Sequence, residues 1–238
     1  MKVKFDYSPN YSEKNPRITR NIIFVIFHYT GMQSEIASIK RLKNPKSKVS
    51  CHYLINRRGE IIQMVKDKDI AWHAGKSKWK KYNNLNYNSI GIEIVNKGHK
   101  HGYQNFSKKQ INSLILLCKN LKKKYLIKVE NFLGHSDIAP QRKLDPGEKF
   151  PWKKLSEHKI GCWYKKNSTK KFNSNLKKEV AFFKNLKKIG YRYFNMLKRG
   201  HKDKAIIKSF QRHYLPKNVS GVIDEKTLKI SHFLTKKT

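Results

Sequence analysis

Two stretches far apart in the chain hold the residue types of a single metal site. They are Phe27-His28-Tyr29-Thr30 and Gly134-His135-Ser136-Asp137-Ile138-Ala139-Pro140-Gln141-Arg142-Lys143-Leu144-Asp145-Pro146-Gly147, and together they offer His28, His135 and Asp145. Three nitrogen or oxygen ligands, with a fourth position open to water, form the donor set of a catalytic zinc, which acidifies water and polarises a carbonyl. Brought together, these residues would make the protein a hydrolase. Ten histidines allow many such sets, and no helical pair of histidines singles this one out. Glu93 lies in Ser89-Ile90-Gly91-Ile92-Glu93-Ile94-Val95, among otherwise apolar residues. A carboxylate there is paired or working, because burying it uncompensated is costly. Beside activated water it would be the general base, with its pKa tuned by burial; the competing reading is an edge-strand glutamate facing solvent. Lys143 would stabilise a developing oxyanion, although lysine is abundant throughout the chain. Trp72-His73-Ala74-Gly75 joins an aromatic platform to a polar handle, which suits a sugar or peptide groove and equally suits packing at a domain edge.

These residues need rigid elements to hold them. Ile22 to Phe27 is a continuous apolar run, expected as a buried strand in which Ile22, Phe24, Ile26 and His28 share a face. Ser34 to Leu42 reads as a short helix capped by Ser34, with Ile36 and Ile39 at helical spacing. Val49 to Asn56 and Glu60 to Val65 read as two strands around the hairpin signal Arg57-Arg58-Gly59. Ile90 to Val95 is a further strand, with Ile90, Ile92 and Ile94 facing one way and Gly91, Glu93 and Val95 the other. Ser107 to Tyr125 is the clearest helix: Ser107-Lys108-Lys109-Gln110 is a capping box, and Ile111, Leu114, Ile115, Cys118, Leu121 and Tyr125 form one stripe. Val129 to Leu133 reads as a short strand leading into the second metal-binding half. Alternating strands and helices predict an α/β domain, a mixed central β-sheet flanked by helices.

The character changes after Trp163. The expected layout is a domain over residues 1–164, a polar linker over 165–175 and a small all-α domain over 176–238. Within the last, Leu176 to Ile189, Lys204 to Tyr214 and Asp224 to Leu234 carry helical patterns, a three-helix unit of about 60 residues, near the lower size limit for independent folding.

The chain has 238 residues, with Lys and Arg totalling 54 against 16 Asp and Glu, a formal net charge of +38. Such a surface attracts polyanions of any kind and names none of them. Nucleic acid is not expected as a partner, because there is no helix-turn-helix, zinc-finger or RNA-recognition signature. Cys51, Cys118 and Cys162 form no C-x-x-C pair and suggest neither a zinc finger nor a disulfide scaffold. The N-terminus has no apolar core or cleavage motif, so as written it is no signal peptide. No stretch approaches a membrane span. As written the chain is expected in the cytoplasm; processed or exported, it belongs to the cell envelope or periplasm.

The motifs, taken in order, resemble the zinc-dependent N-acetylmuramoyl-L-alanine amidases of the AmpD/AmiD type (amidase class 2), which share a fold with peptidoglycan-recognition proteins. The residues that carry the resemblance are Ser8-Pro9-Asn10, Phe27-His28-Tyr29-Thr30, Val49-Ser50-Cys51-His52-Tyr53-Leu54-Ile55, Ala71-Trp72-His73-Ala74-Gly75, Ser89-Ile90-Gly91-Ile92-Glu93, and Gly134 to Pro140 with Lys143 to Gly147. The resemblance implies that His28, His135 and Asp145 bind one Zn2+, that Glu93 activates water and that Lys143 stabilises the tetrahedral intermediate. It implies a substrate groove with His73, Trp72, Tyr29 and Arg57, Arg58 being the alternative to Arg57. The implied reaction cleaves the amide between N-acetylmuramic acid and L-alanine, and the implied partners are peptidoglycan or muropeptides. Ala205 to Gln211 and Gly221 to Leu228 are similar to parts of a three-helix peptidoglycan-binding domain. The alternative on the same fold is a non-catalytic peptidoglycan-recognition protein.

Overall fold

The computed structural model describes residues 2–13, 21–165 and 176–237; of the expected linker, residues 166–175 lie outside the described residues. In chain order the first half consists of β1 (Val3–Phe5), β2 (Tyr11–Ser12), β3 (Phe24–Tyr29), α1 (Glu35–Lys43), β4 (Tyr53–Ile55), β5 (Ile61–Gln63), β6 (Ile70–Ala71), β7 (Lys78–Trp79), β8 (Tyr82–Asn83) and β9 (Ser89–Ile94). Then come α2 (Lys108–Tyr125), β10 (Phe132–Gly134), α3 (His135–Ile138), α4 (Trp152–Glu157), α5 (Lys178–Ile189), α6 (Asp203–Tyr214) and α7 (Glu225–Leu234).

Six strands form one mixed sheet in the order β1-β5-β4-β9-β3-β10. The pairs β1–β5, β4–β9, β9–β3 and β3–β10 are parallel, and the β4–β5 hairpin is antiparallel. The hairpin turns where expected, with Gly59 in the left-handed region at φ 82 and Asn56 Oδ1 accepting from the amides of Arg58 and Glu60. The fold class is therefore the mixed, helix-flanked sheet that the alternation of patterns predicts.

Side-chain alternation gives the sheet two different faces. Val25 and Phe27 of β3 and Ile90, Ile92 and Ile94 of β9 pack against Ile111, Leu114, Ile115, Cys118 and Leu121 of α2. Phe24 and Ile26 point the other way and join Phe182, Phe183, Leu186, Ile206 and Phe210 of the C-terminal helices in one apolar cluster. A third cluster, Leu42, Cys51, Leu54, Ile62, Met64 and Val95, lies under α1. Each such fully buried side chain contributes about 2 kcal/mol by leaving water.

Three local expectations change. Ile22 precedes β3 and packs with Val25 and Phe27, not on the face of Phe24, Ile26 and His28, because the regular strand begins only at Phe24. Ile36 is 79% exposed, while Ser38 and Leu42 form the buried side of α1, because the helix meets the sheet through its C-terminal turns. Residues 129–131 wind into a 3-10 turn, so the strand begins only at Phe132, where pairing with Val25 starts. The capping box of α2 forms as read: Ser107 Oγ accepts from the Gln110 amide at 3.1 Å, and Gln110 Oε1 accepts from the Ser107 amide at 3.0 Å. Ser107→Ala is expected to lower the unfolding free energy in urea by about 1 kcal/mol.

Candidate active site

His28 and Glu93 are register partners on adjacent parallel strands, both near the carboxyl ends. His135 follows β10 directly as the first residue of α3. The three residues thus gather at the carboxyl ends of neighbouring parallel strands, where open α/β sheets form their crevices. Asp145 comes back along the loop after α3 and is held there by the Ser136 amide, which donates to the Asp145 carbonyl at 2.8 Å.

The two imidazoles and the carboxylate meet at close range. His28 Nδ1 lies 2.9 Å from His135 Nδ1 and 2.9 Å from Asp145 Oδ2, and His135 Nδ1 lies 3.0 Å from Asp145 Oδ2. His28, His135 and Asp145 are 1%, 2% and 7% exposed. Hydrogen-bond partners assign the tautomers. His135 Nε2 faces the Ala74 carbonyl at 3.1 Å and must carry the proton, which leaves Nδ1 with a bare lone pair. Ser89 spends its hydroxyl proton on the Leu85 carbonyl, so it accepts from His73 Nε2–H at 3.2 Å. His73 Nδ1 then accepts from His28 Nε2–H at 3.1 Å, which leaves His28 Nδ1 bare as well.

Two neutral imidazole nitrogens and a carboxylate oxygen therefore point their lone pairs at one spot. A tetrahedral zinc with bonds of about 2.0–2.1 Å would set its ligands about 3.3 Å apart, close to what is seen. The donor set fits that ion. Burial, then repulsion from His135 whenever that ring is protonated, brings His28 down to about 4, so it is neutral at neutral pH and available as a ligand. Burial alone would raise Asp145, but a proton on His135, then on His28, would attract the carboxylate, and this holds the carboxyl well below the usual range.

Glu93 lies on a central strand, between β4 and β3, and not at an edge. Its Oε2 is buried with no hydrogen-bond partner among the described residues. Burial, then the charge of Asp145, pushes Glu93 up to about 8, against the opposing charges of Lys143 and Arg41. Gly91, two residues earlier on the same face, makes room for the His73 ring: a Cβ there would overlap the imidazole.

A cavity of about 460 Å³ opens over this cluster. His28, Tyr29, Trp72, His73, Glu93, His135, Lys143 and Asp145, all expected from the sequence, line it. Arg57 does not line it. Its guanidinium bonds the Asn105 carbonyl and Gln110 Oε1, so it ties the β4–β5 turn to the start of α2. Arg58 bonds Glu60 instead. Beside Lys143, the cationic lining comes from Arg41, Lys100 and Arg142. Sequence reading passed over these three because they are indistinguishable among 54 Lys and Arg.

Residues 18–148 match the family described as N-acetylmuramoyl-L-alanine amidase. The chain is similar to N-acetylmuramoyl-L-alanine amidase AmiD of Escherichia coli K12, with 33% identity over 233 residues, 90% of this chain and 82% of that protein. It is 40% identical over 108 residues to 1,6-anhydro-N-acetylmuramyl-L-alanine amidase AmpD of Haemophilus influenzae, 45% of this chain and 56% of AmpD. Its fold is similar to that of E. coli AmiD in complex with the substrate anhydro-N-acetylmuramic acid-L-Ala-D-γ-Glu-L-Lys, with a TM-score of 0.82 and 30% identity over 96% of this chain and 98% of that one. It is also similar to AmpDH3 of Pseudomonas aeruginosa in complex with anhydromuramic pentapeptide, with a TM-score of 0.83 and 31% identity over 98% of each chain.

Glu93 gives a pH signature in the metal-free protein. With its carboxyl at about 8 when folded and 4.5 as the ordinary value, the folded state keeps a proton that the unfolded state has lost across that window. Stability contributed by this group therefore falls as pH rises from 4.5 to 8. In chelator, Glu93→Gln is expected to be more stable than wild type by about 2–4 kcal/mol at about pH 8.5, and no more stable at about pH 4.5. Urea midpoints at the two pH values check this.

Proposed function

This chain belongs to the N-acetylmuramoyl-L-alanine amidase family, and from that premise we propose a zinc-dependent hydrolysis of the amide between N-acetylmuramic acid, or its anhydro form, and L-alanine of the stem peptide. The observation that carries the reading is the convergence of His28 Nδ1, His135 Nδ1 and Asp145 Oδ2, with the unpartnered Glu93 oxygen in the same cavity. The intact donor set and a carboxylate placed to move a proton favour catalysis over recognition alone.

His28, His135 and Asp145 would hold the zinc, which when bound supplies Lewis acidity toward a carbonyl and water. With a divalent charge held in the triad, the Glu93 carboxyl would be drawn back toward its ionised form. Glu93 takes the proton of the attacking water and delivers it to the leaving alanine nitrogen. Lys143, on the cavity wall, offsets negative charge on the former carbonyl oxygen. Tyr29 and Trp72 form apolar walls beside it, and Arg41, Lys100 and Arg142 offer charge to the stem-peptide carboxylates. His73 acts behind His28, orienting it, as well as lining the groove. The helices α5 to α7, through the resemblance of Ala205 to Gln211 and Gly221 to Leu228, are read as adding contact with the wall polymer.

Among the described residues no helix is long and apolar enough to cross a membrane. Fractionating the native protein between cytoplasm and envelope tells whether it meets released muropeptides or the wall itself. Metal analysis is expected to find about one zinc per chain, the capacity of one such donor set. Digestion of anhydro-muropeptides is expected to release free stem peptide, with Glu93→Ala slower by about 10²–10⁴-fold. Equal release by both proteins would rule the mechanism out. Arg41→Ala is expected to raise KM about tenfold, as loss of a charge-assisted hydrogen bond implies. Arg57→Ala should leave KM unchanged while costing about 1 kcal/mol of stability in urea.

A further inference from the structure

The loop that bears His135, Lys143 and Asp145 is gripped on its far side by the C-terminal helices. Ser209 of α6 donates its hydroxyl to the Ser136 carbonyl at 2.7 Å. The amide of Ser136 in turn donates to the Asp145 carbonyl at 2.8 Å. Asp137 accepts from the Tyr191 hydroxyl at 2.6 Å through Oδ1, and from His213 Nδ1 at 2.8 Å and the Gly134 amide at 2.8 Å through Oδ2. His135 therefore sits between Gly134 and Ser136, both of which are tied into the network. Two residues before the end of α6, Arg212 faces Glu148 at 3.9 Å. Glu148 accepts from His99 Nε2 at 3.0 Å, and His99 Nδ1 meets the hydroxyl of Tyr29, the neighbour of His28, at 2.9 Å.

The chemistry of this contact is out of keeping with the rest of the interface. Elsewhere α5 to α7 meet the sheet through apolar side chains. Apolar burial is non-directional and lets helices settle in more than one register. At this one point the interface buries a carboxylate, an imidazole, a phenol and a hydroxyl: Asp137, His213, Tyr191 and Ser209 are each at most 3% exposed. Such groups are costly to bury unless each is paired, and when paired they fix one geometry. Metal ligands need placement within about 0.5 Å. We propose that Ser209, His213 and Tyr191, with Arg212 on the second arm, are positioning residues of the metal triad, so that the C-terminal helices set the spacing of His135 and Asp145 from the far side of the loop. The proposal rests on the zinc reading of that triad.

The test uses the full chain. Tyr191→Phe/His213→Phe removes two donors to Asp137 and keeps the ring volumes, including the stack of His213 on Trp152. Tyr191→Phe/His213→Asn restores one side-chain N–H donor. Leu234→Ala, in the same apolar cluster, costs stability without touching the loop. The first variant is expected to bind zinc about tenfold more weakly in chelator competition, and at saturating zinc to lose about tenfold in kcat with KM unchanged. The Asn variant is expected to recover most of both, and Leu234→Ala to move only the urea midpoint. A folded Tyr191→Phe/His213→Phe protein with wild-type zinc affinity would overturn the proposal. Should that variant not fold, Tyr191→Phe alone decides by the same affinity measurement, with a loss of about threefold expected, a partial share of the effect of such outer partners. A wild type that binds no zinc overturns the functional reading and this proposal with it; a wild type that binds zinc beside unaffected variants overturns the proposal alone.

Discussion

Three lone pairs aimed at one buried point, within 3.0 Å of one another, repel unless a cation sits among them. An imidazole in such a place is useful only as the right tautomer, since a proton on its inward nitrogen would abolish the donor. The surroundings of the triad supply that control. His135 has its outward nitrogen committed to a backbone carbonyl, which can only accept. His28 reaches the same result through a longer chain, His73 to Ser89 to the Leu85 carbonyl, in which the last acceptor sets the direction of every proton before it. Deep burial, which lowers His28 to about 4, keeps the ring neutral, so the donor set is ready at the pH where water must be activated.

Sheet geometry then decides what else can reach that point. Parallel pairing places His28 and Glu93 side by side, and alternation turns both away from the apolar face held by α2. Since β9 is an inner strand, Glu93 is flanked by β4 and β3 and faces the cavity, not a sheet edge. The same face must also admit the His73 ring, and it does so only because position 91 lacks a Cβ. A larger residue there would push the imidazole off His28 and leave the inward lone pair undefined. The glycine and the histidine, apart in sequence, are thus one structural feature.

How much of this was legible beforehand follows from the range of the interactions. Strand alternation put His28 and Glu93 on defined faces, and the capping box announced α2, because both depend on neighbours within a few residues. The metal set needed ordered motifs to be picked out, since spacing alone did not distinguish His28, His135 and Asp145 from other histidines and carboxylates. Arg57 was misplaced for a physical reason: hairpin turns are exposed and charged whichever way they face, and this one is drawn to the free carbonyl and glutamine at the start of α2. Arg41 was invisible because only tertiary packing brings the last turn of α1 to the cavity rim.

The loop motif itself shows where sequence reading stops. Asp137 and Asp145 both lie near His135 in the chain, and a count of ligands treats them alike. In the structure only Asp145 joins the triad; Asp137 turns its carboxylate outward, to Gly134, Tyr191 and His213. One acid neutralises the site and the other anchors the backbone that carries it. A carboxylate facing outward this close to a metal loop needs donors from elsewhere in the chain, because the loop has no more to give. Those donors are His213 on α6 and Tyr191 just after α5, in a region that shares one apolar cluster with Phe24 and Ile26 of the strand that carries His28. Packing and polar contact therefore act on the triad from the same helices, one holding the strand and the other holding the loop.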